Sequence, residues 1–188
     1  MSYSRAMTTE RALLTAEDLL DLPEDCTRQE LVKGELITMT PPGGVHGETA
    51  THIILVVGPH VRAGDLGRLV SDVGFVLSRD PDTVRATDVA FISTARLPQG
   101  GLPEGYIEGA PDLAIEVVSP GDRAGQVQAK VQEWLEAGSR QVWVFYPRTR
   151  SIEVHGSDGH GSTLREGDSL TGGDVLPGFS CPVRDLFP

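Results

Sequence analysis

Glu116 stands in the middle of Leu113–Val118, a run that is apolar at every other position (L-A-I-E-V-V). Such a run suits a strand covered on both faces. A carboxylate there loses most of its hydration and needs a cation, a metal or a hydrogen bond in compensation. Asp88 poses a similar problem in V-R-A-T-D-V-A-F-I-S, where it shares one strand face with Ala90 and Ile92 while Val89 and Phe91 share the other. Lys130 lies on a helix expected from Asp122 to Ala137, just outside the apolar arc of Ala124, Val127, Val131, Trp134 and Leu135. Its stem can follow the core boundary while the ammonium reaches the end of the sheet. Two carboxylates on adjacent strands suit a hard cation such as Mg²⁺, with waters and substrate oxygens completing its shell. An ammonium beside them could orient a water or stabilise developing negative charge. Each residue also has a plainer reading. Asp88 could be a strand-end acid, solvated or paired with Arg85 or Arg68; Glu116 could be half of a structural salt bridge; Lys130 could be a solvated boundary lysine.

The totals narrow the class. A chain of 188 residues fits one domain with a full core. We expect residues 1–12 to be a flexible tail and 13–188 a single domain. No apolar run approaches the roughly 20 residues that span a bilayer, and M-S-Y-S-R-A-M-T-T-E has no apolar signal region. Cys26 and Cys181 form no C-x-x-C and read as reduced thiols of a cytoplasmic protein. The net charge of −11 argues against tight nonspecific binding to nucleic acid through charge alone. The cations are lopsided, fourteen Arg against Lys33 and Lys130. A lysine kept in such a chain hints at a need for its compact ammonium.

The elements that must position these residues follow in order. Thr15–Leu22 reads as a short helix capped by Thr15 with Asp18 at the box position. Arg28–Thr40 reads as a hairpin turning at Lys33-Gly34. A helix from about His46 to Val61 has Ala50, Ile53, Val57 and Val61 on one face. Strands are expected at Arg68–Ser78 and Val84–Ser93, then a polar loop from Thr94 to Glu108 that makes no core. Asp122 is the expected cap of the helix carrying Lys130, and Gly138 its C′ residue. With the strand Gln141–Tyr146, that helix should close a right-handed βαβ crossover. Ser151–His155 is a neighbouring edge strand, and the remainder reads as short strands anchored by Phe179 and Phe187. The expected fold class is α/β: a mixed central sheet flanked by helices, with extra β-hairpins at the N- and C-terminal ends.

An Asp, a strand carrying a Glu and a lysine on the next helix together resemble the PD-(D/E)XK nuclease superfamily. More narrowly, the chain resembles the Uma family of restriction-endonuclease-like proteins over about residues 13–187. The matching pieces are E-L-V-K-G-E-L-I at 30–37, His46-Gly47 opening a helix, T-D-V-A-F-I at 87–92 and P-D-L-A-I-E-V-V-S-P at 111–120. K-V-Q-E-W-L-E-A-G at 130–138, V-W-V-F-Y-P at 142–147 and V-L-P-G-F-S-C-P-V-R-D-L-F at 175–187 complete them. Three departures stand out. Thr87 replaces a frequent proline, Val118 stands where the superfamily pattern has its lysine, and Gln126 or Val127 stands where an acid is often found. The resemblance implies a restriction-endonuclease-like fold and a Mg²⁺- or Mn²⁺-dependent endonuclease acting on DNA, cytoplasmic and homodimeric. Asp88 and Glu116 would hold the metal and Lys130 would act with them. Glu30 is a possible part of the same acidic wall, or a hairpin surface acid. His46 resembles a recurrent His and could touch a phosphate in the cleft; the other four histidines read as surface residues. Two alternatives stay open: a nuclease-fold binding or scaffold protein with weak or no catalysis, and a two-carboxylate glycosidase. The glycosidase gives Lys130 no role.

Overall fold

A computed structural model describes residues 13–23 and 28–188. The expected tail at 1–12 and the thiol of Cys26 lie outside the described residues. Helix α1 (Ala16–Leu20) is held by a reciprocal capping box between Thr15 and Asp18, as its sequence dictates. Strands β1 (Arg28–Val32) and β2 (Glu35–Met39) pair as a hairpin with Val32 opposite Glu35. Lys33 (φ 52°) and Gly34 (φ 78°) make its two-residue turn, both left-handed, which matches the twist of the flanking strands. Helix α2 (Gly44–Ala63) buries Thr49, Ile53, Val57 and Val61 at helical spacing.

Strand β3 (Gly67–Val70), β4 (Val73–Ser78), β5 (Thr83–Thr87), β6 (Val89–Ser93) and the two-residue β7 (Ile107–Glu108) follow. Then come β8 (Leu113–Val117), α3 (Ala124–Glu136), β9 (Gln141–Tyr146), β10 (Ser151–Gly156) and β11 (Gly161–Leu164). A small ribbon of β12 (Ser169–Thr171) and β13 (Ser180–Pro182) and a single 3₁₀ turn at Val183–Leu186 end the chain. The central sheet has the order β11-β10-β9-β8-β6-β3. It is mixed, because β8 and β9 run parallel across the α3 crossover with Glu116 beside Val144, while its other neighbours are antiparallel. A second sheet, β2-β1-β5-β4-β7, carries the N-terminal hairpin. This is the expected class.

Alternation along β6 and β8 divides the core between the two flanking helices. Val89, Phe91, Leu113, Ile115 and Val117 pack with Ile53, Val57 and Val61 of α2 and with the C-terminal segment. Ala90, Ile92 and Ala114 face the other way, with Val131 and Trp134 of α3. Glu116 has the parity of Ala114 and so points toward α3.

The structure corrects four local expectations. Val84–Ser93 is not one strand: it bends at Asp88 and passes from the second sheet to the central one. Arg68–Ser78 likewise breaks after Val70, with Asp72 at φ 52°. Apolar residues resume at once after the Ser71-Asp72 and Thr87-Asp88 breaks, so each run reads as one long strand. The loop Thr94–Glu108 does contribute to the core, because β7 pairs in parallel with β4 and buries Ile107. Arg123, not Asp122, caps α3; Asp122 instead accepts a 2.7 Å hydrogen bond from the Ser119 amide and closes the preceding turn. Among the described residues no helix is long and apolar enough to cross a membrane.

Trp143 on β9 is fully buried and stacks on Phe179 at 6.1 Å between ring centroids. Trp143→Ala should cost about 3–5 kcal/mol of stability by urea unfolding, as removal of a buried indole does. A loss below about 1 kcal/mol would show that the cavity collapses without cost.

Candidate active site

Because β8 is covered on both faces, Glu116 keeps only 9 % of its exposure and must be compensated by its neighbours. Two of them come from one face of α3. Lys130 and Trp134 are four residues apart and therefore lie one above the other on the helix. The Lys130 ammonium donates to Glu116 Oε2 at 3.0 Å, and the Trp134 indole donates to Oε1 at 2.8 Å. Lys130 also donates to the Ala86 carbonyl at 2.9 Å and sits 3.5 Å from Glu30 Oε1. Glu30 is buried to 1 % exposure on β1. It accepts from Arg85 at 2.7 Å and from the Ala86 amide at 3.1 Å. Arg85 then reaches Glu133 on α3 at 2.6 Å. The second sheet is thus fastened to α3 by alternating charges, with Lys130 in the middle.

Asp88 sits at the crossing between the sheets. Its Oδ2 accepts from the amide of Val117, the residue after Glu116, at 2.7 Å. Arg28 Nη1 donates to Oδ1 at 3.0 Å, and His46 Nε2 donates to Oδ2 at 3.1 Å. Thr87, at the position of the missing proline, holds the bend: its hydroxyl lies 2.6 Å from the Ile115 carbonyl and 3.1 Å from that of Val89.

The two carboxylates differ in proton affinity. Burial opposes ionisation of Asp88. The His46 hydrogen bond and the charges of His46, Lys130 and Arg28 outweigh it and hold Asp88 well below the usual carboxylate range. Burial pushes Glu116 up; Lys130 pulls it down, the charge of Asp88 pushes it up again, and it comes to about 7. Burial alone would lower Lys130, but Glu116, Glu30 and Asp88 together raise it, so the ammonium stays charged. His46 is raised chiefly by its hydrogen bond to Asp88.

The donor set is of the kind a hard divalent cation uses, with carboxylate oxygen from the Asp88 bend and from β8. The high proton affinity of Glu116 comes chiefly from burial, which the Lys130 ammonium only partly offsets. Among the described residues no three His, Cys, Asp or Glu side chains form a ready metal cage. A four-ligand zinc site is therefore not on offer, whereas Mg²⁺ is commonly held by one or two carboxylates.

Asp88, Glu116, Lys130, Glu30 and His46 all come together at this seam. Glu30 is no surface acid, and His46 meets Asp88 where a phosphate contact had been expected. Asp88 pairs with neither Arg85 nor Arg68. Sequence reasoning missed Arg28, Arg85, Glu133 and the polar role of the Trp134 indole. Signals for two existed: Arg28 shares a strand face with Glu30, and Trp134 follows Lys130 by one helical turn.

Glu30→Gln should cost about 3–5 kcal/mol at neutral pH, because it leaves Arg85 and Lys130 short of a buried anion. The Lys130 and Arg85 charges outweigh burial and hold Glu30 below its ordinary value of 4.5. Its contribution is therefore complete above that value and is lost as the pH falls through the folded-state value. Denaturant midpoints of parent and variant should converge in acid; a gap that stays constant from neutral pH downward would assign the loss to packing.

The Uma2 family, described as "Putative restriction endonuclease", matches residues 16–184. Among solved structures, the chain is similar to a crystal structure from Anabaena variabilis described as a putative nuclease belonging to DUF820, with a TM-score of 0.81 and 20 % identity. The alignment covers 93 % of this chain and 97 % of that one, and at this identity it speaks for the fold. No curated protein matches. The family match spans both sheets and every residue of the seam: this chain belongs to the Uma2 family.

Proposed function

We propose that this protein is a metal-dependent endonuclease that hydrolyses phosphodiester bonds of DNA at the seam between its two sheets. The carrying observation is the meeting of Glu116 with the Lys130 ammonium at 3.0 Å, one residue from the amide that fixes Asp88. The family description and the putative nuclease of like fold point to the same reaction class. Mg²⁺ or Mn²⁺, held by Asp88 and Glu116, would neutralise phosphate charge and make water easier to deprotonate.

The protein's own groups do the rest. Hydrolysis joins a water oxygen to phosphorus and expels a sugar oxygen, so negative charge grows on the phosphoryl oxygens. The Lys130 ammonium, held 3.0 Å from Glu116, can orient the water or meet the developing anion. Glu30 and Arg85 are positioning residues: they fix the lysine without facing substrate. Arg28 and His46 keep Asp88 ionised, as a ligand requires.

Two observations favour a second reading, a binding or scaffold protein with weak or no hydrolysis. The chain has a net charge of −11, and all four carboxylate oxygens of Asp88 and Glu116 already have protein donors. Cleavage separates the two. Plasmid and single-stranded DNA with Mg²⁺ or Mn²⁺ should be cut by the parent. Lys130→Arg, whose broad guanidinium fits poorly, should lose about 10²-fold or more in turnover. Asp88→Ala and Glu116→Ala should abolish the calorimetric heat of metal binding while keeping the fold. Equal cleavage by parent and Lys130→Arg would remove the lysine from the chemistry, and no cleavage by the parent would favour the scaffold.

A further inference from the structure

The second sheet has two faces of unlike character. Glu30 and Arg85 share the face toward α3, while Leu31, Val76 and Val84 lie on the other, where α1 covers them with Ala16 and Leu19. The cover is incomplete. Next to α1 the same face carries a cleft of about 400 Å³, walled by Tyr106, Pro41 and Pro42, floored by Gly74, Val84 and Ala86, and closed at one end by Arg28 and Asp72. That volume lies within the range of small-ligand sites, roughly 300–1,000 Å³.

Three features define what the cleft suits. Gly74 is the floor because nothing larger fits: a Cβ there would lie 2.4 Å from the Tyr106 ring. The ring is half-buried, and no hydrogen bond of its hydroxyl is present among the described residues, so Tyr106 offers a surface more than a polar group. Charge argues against an anion pocket. Arg28, the cation at its end, is already matched by Asp88 at 3.0 Å and Asp72 at 3.4 Å. Arg28 Nε and Nη2 lie buried without a hydrogen-bond acceptor, so the polar group open at that end is Asp72, 76 % exposed on its turn. An aromatic wall, proline sides and an acceptor at one end suit a flat heterocycle with a hydrogen-bond donor on its edge.

We propose that this cleft receives the base of an unpaired nucleotide, stacked on Tyr106 with its polar edge toward Asp72. The inference rests on the nuclease reading only for its substrate class, nucleic acid. It names the form of that substrate: a single-stranded or extruded nucleotide. Arg28 belongs to both places, since it lines the cleft and holds Asp88. Stacking also answers the charge problem. A chain of net charge −11 gains little by neutralising phosphates, whereas every base presents a π-face whatever the salt.

The test is fluorescence anisotropy with a labelled deoxyhexanucleotide in EDTA, so that no cleavage is read and failure of the catalytic reading stays separate. The parent should bind the single strand more tightly than the matching duplex, with weak salt dependence. Tyr106→Leu, which keeps an apolar side chain in the wall, should bind about 5- to 100-fold more weakly, the usual effect of losing one base–aromatic stack. Tyr106→Phe should bind like the parent. Parental binding by Tyr106→Leu, equal binding of duplex and single strand, or no binding by the parent would overturn the subsite.

Discussion

Lys130 is the cation on which the seam depends. Two buried acids, Glu30 from one sheet and Glu116 from the other, both reach it, at 3.5 Å and 3.0 Å. Without that ammonium each would be a carboxylate stripped of water with a poorer partner. The same side chain closes on the Ala86 carbonyl just before the bend, so it also ties α3 to the strand that crosses between sheets. A buried charge cluster of this kind is a weak source of net stability but leaves few alternative arrangements, because any other packing strands an ion.

The crossing itself is built from short-range bonds. Asp88 is aimed by the Val117 amide on one side and by Arg28 and His46 on the other, and Thr87 pins the bend to the carbonyls beside it. Those contacts place one strongly acidic and one weakly acidic carboxyl side by side. Environments that push two carboxyl groups apart in proton affinity are a recurrent mark of acid–base and metal chemistry. Here the difference has a plain origin: burial opposes ionisation of both, but Asp88 has three cations about it, whereas Glu116 relies on one.

Much of this could be read from the chain. The Thr15–Asp18 box, the Lys33-Gly34 turn and the crossover through α3 are local or periodic signals, and each formed where its residues dictate. Glu116 was conspicuous because it interrupts an apolar strand. The division into two sheets was not legible, since buried Ala86 precedes and buried Val89 and Ala90 follow the Thr87-Asp88 pair, and two polar residues do not reveal a change of sheet. Nor could the partners of Asp88 be foreseen: Arg28 and His46 lie 60 and 42 residues away, and neither spacing carries a period. Arg85 misled in the opposite sense. Its nearness in sequence made it a natural partner for Asp88, but strand alternation puts it on the face of Glu30.

The proposal turns on Glu116: burial raises its proton affinity, and a divalent cation would take the proton's place. Titration calorimetry with Mg²⁺ in buffers of different ionisation enthalpy measures this directly, through the protons released on binding. With Glu116 at about 7, binding should release close to one proton per cation near pH 6 and almost none near pH 8.5. Cation binding without proton release at the lower pH, or no binding at either, would contradict the account.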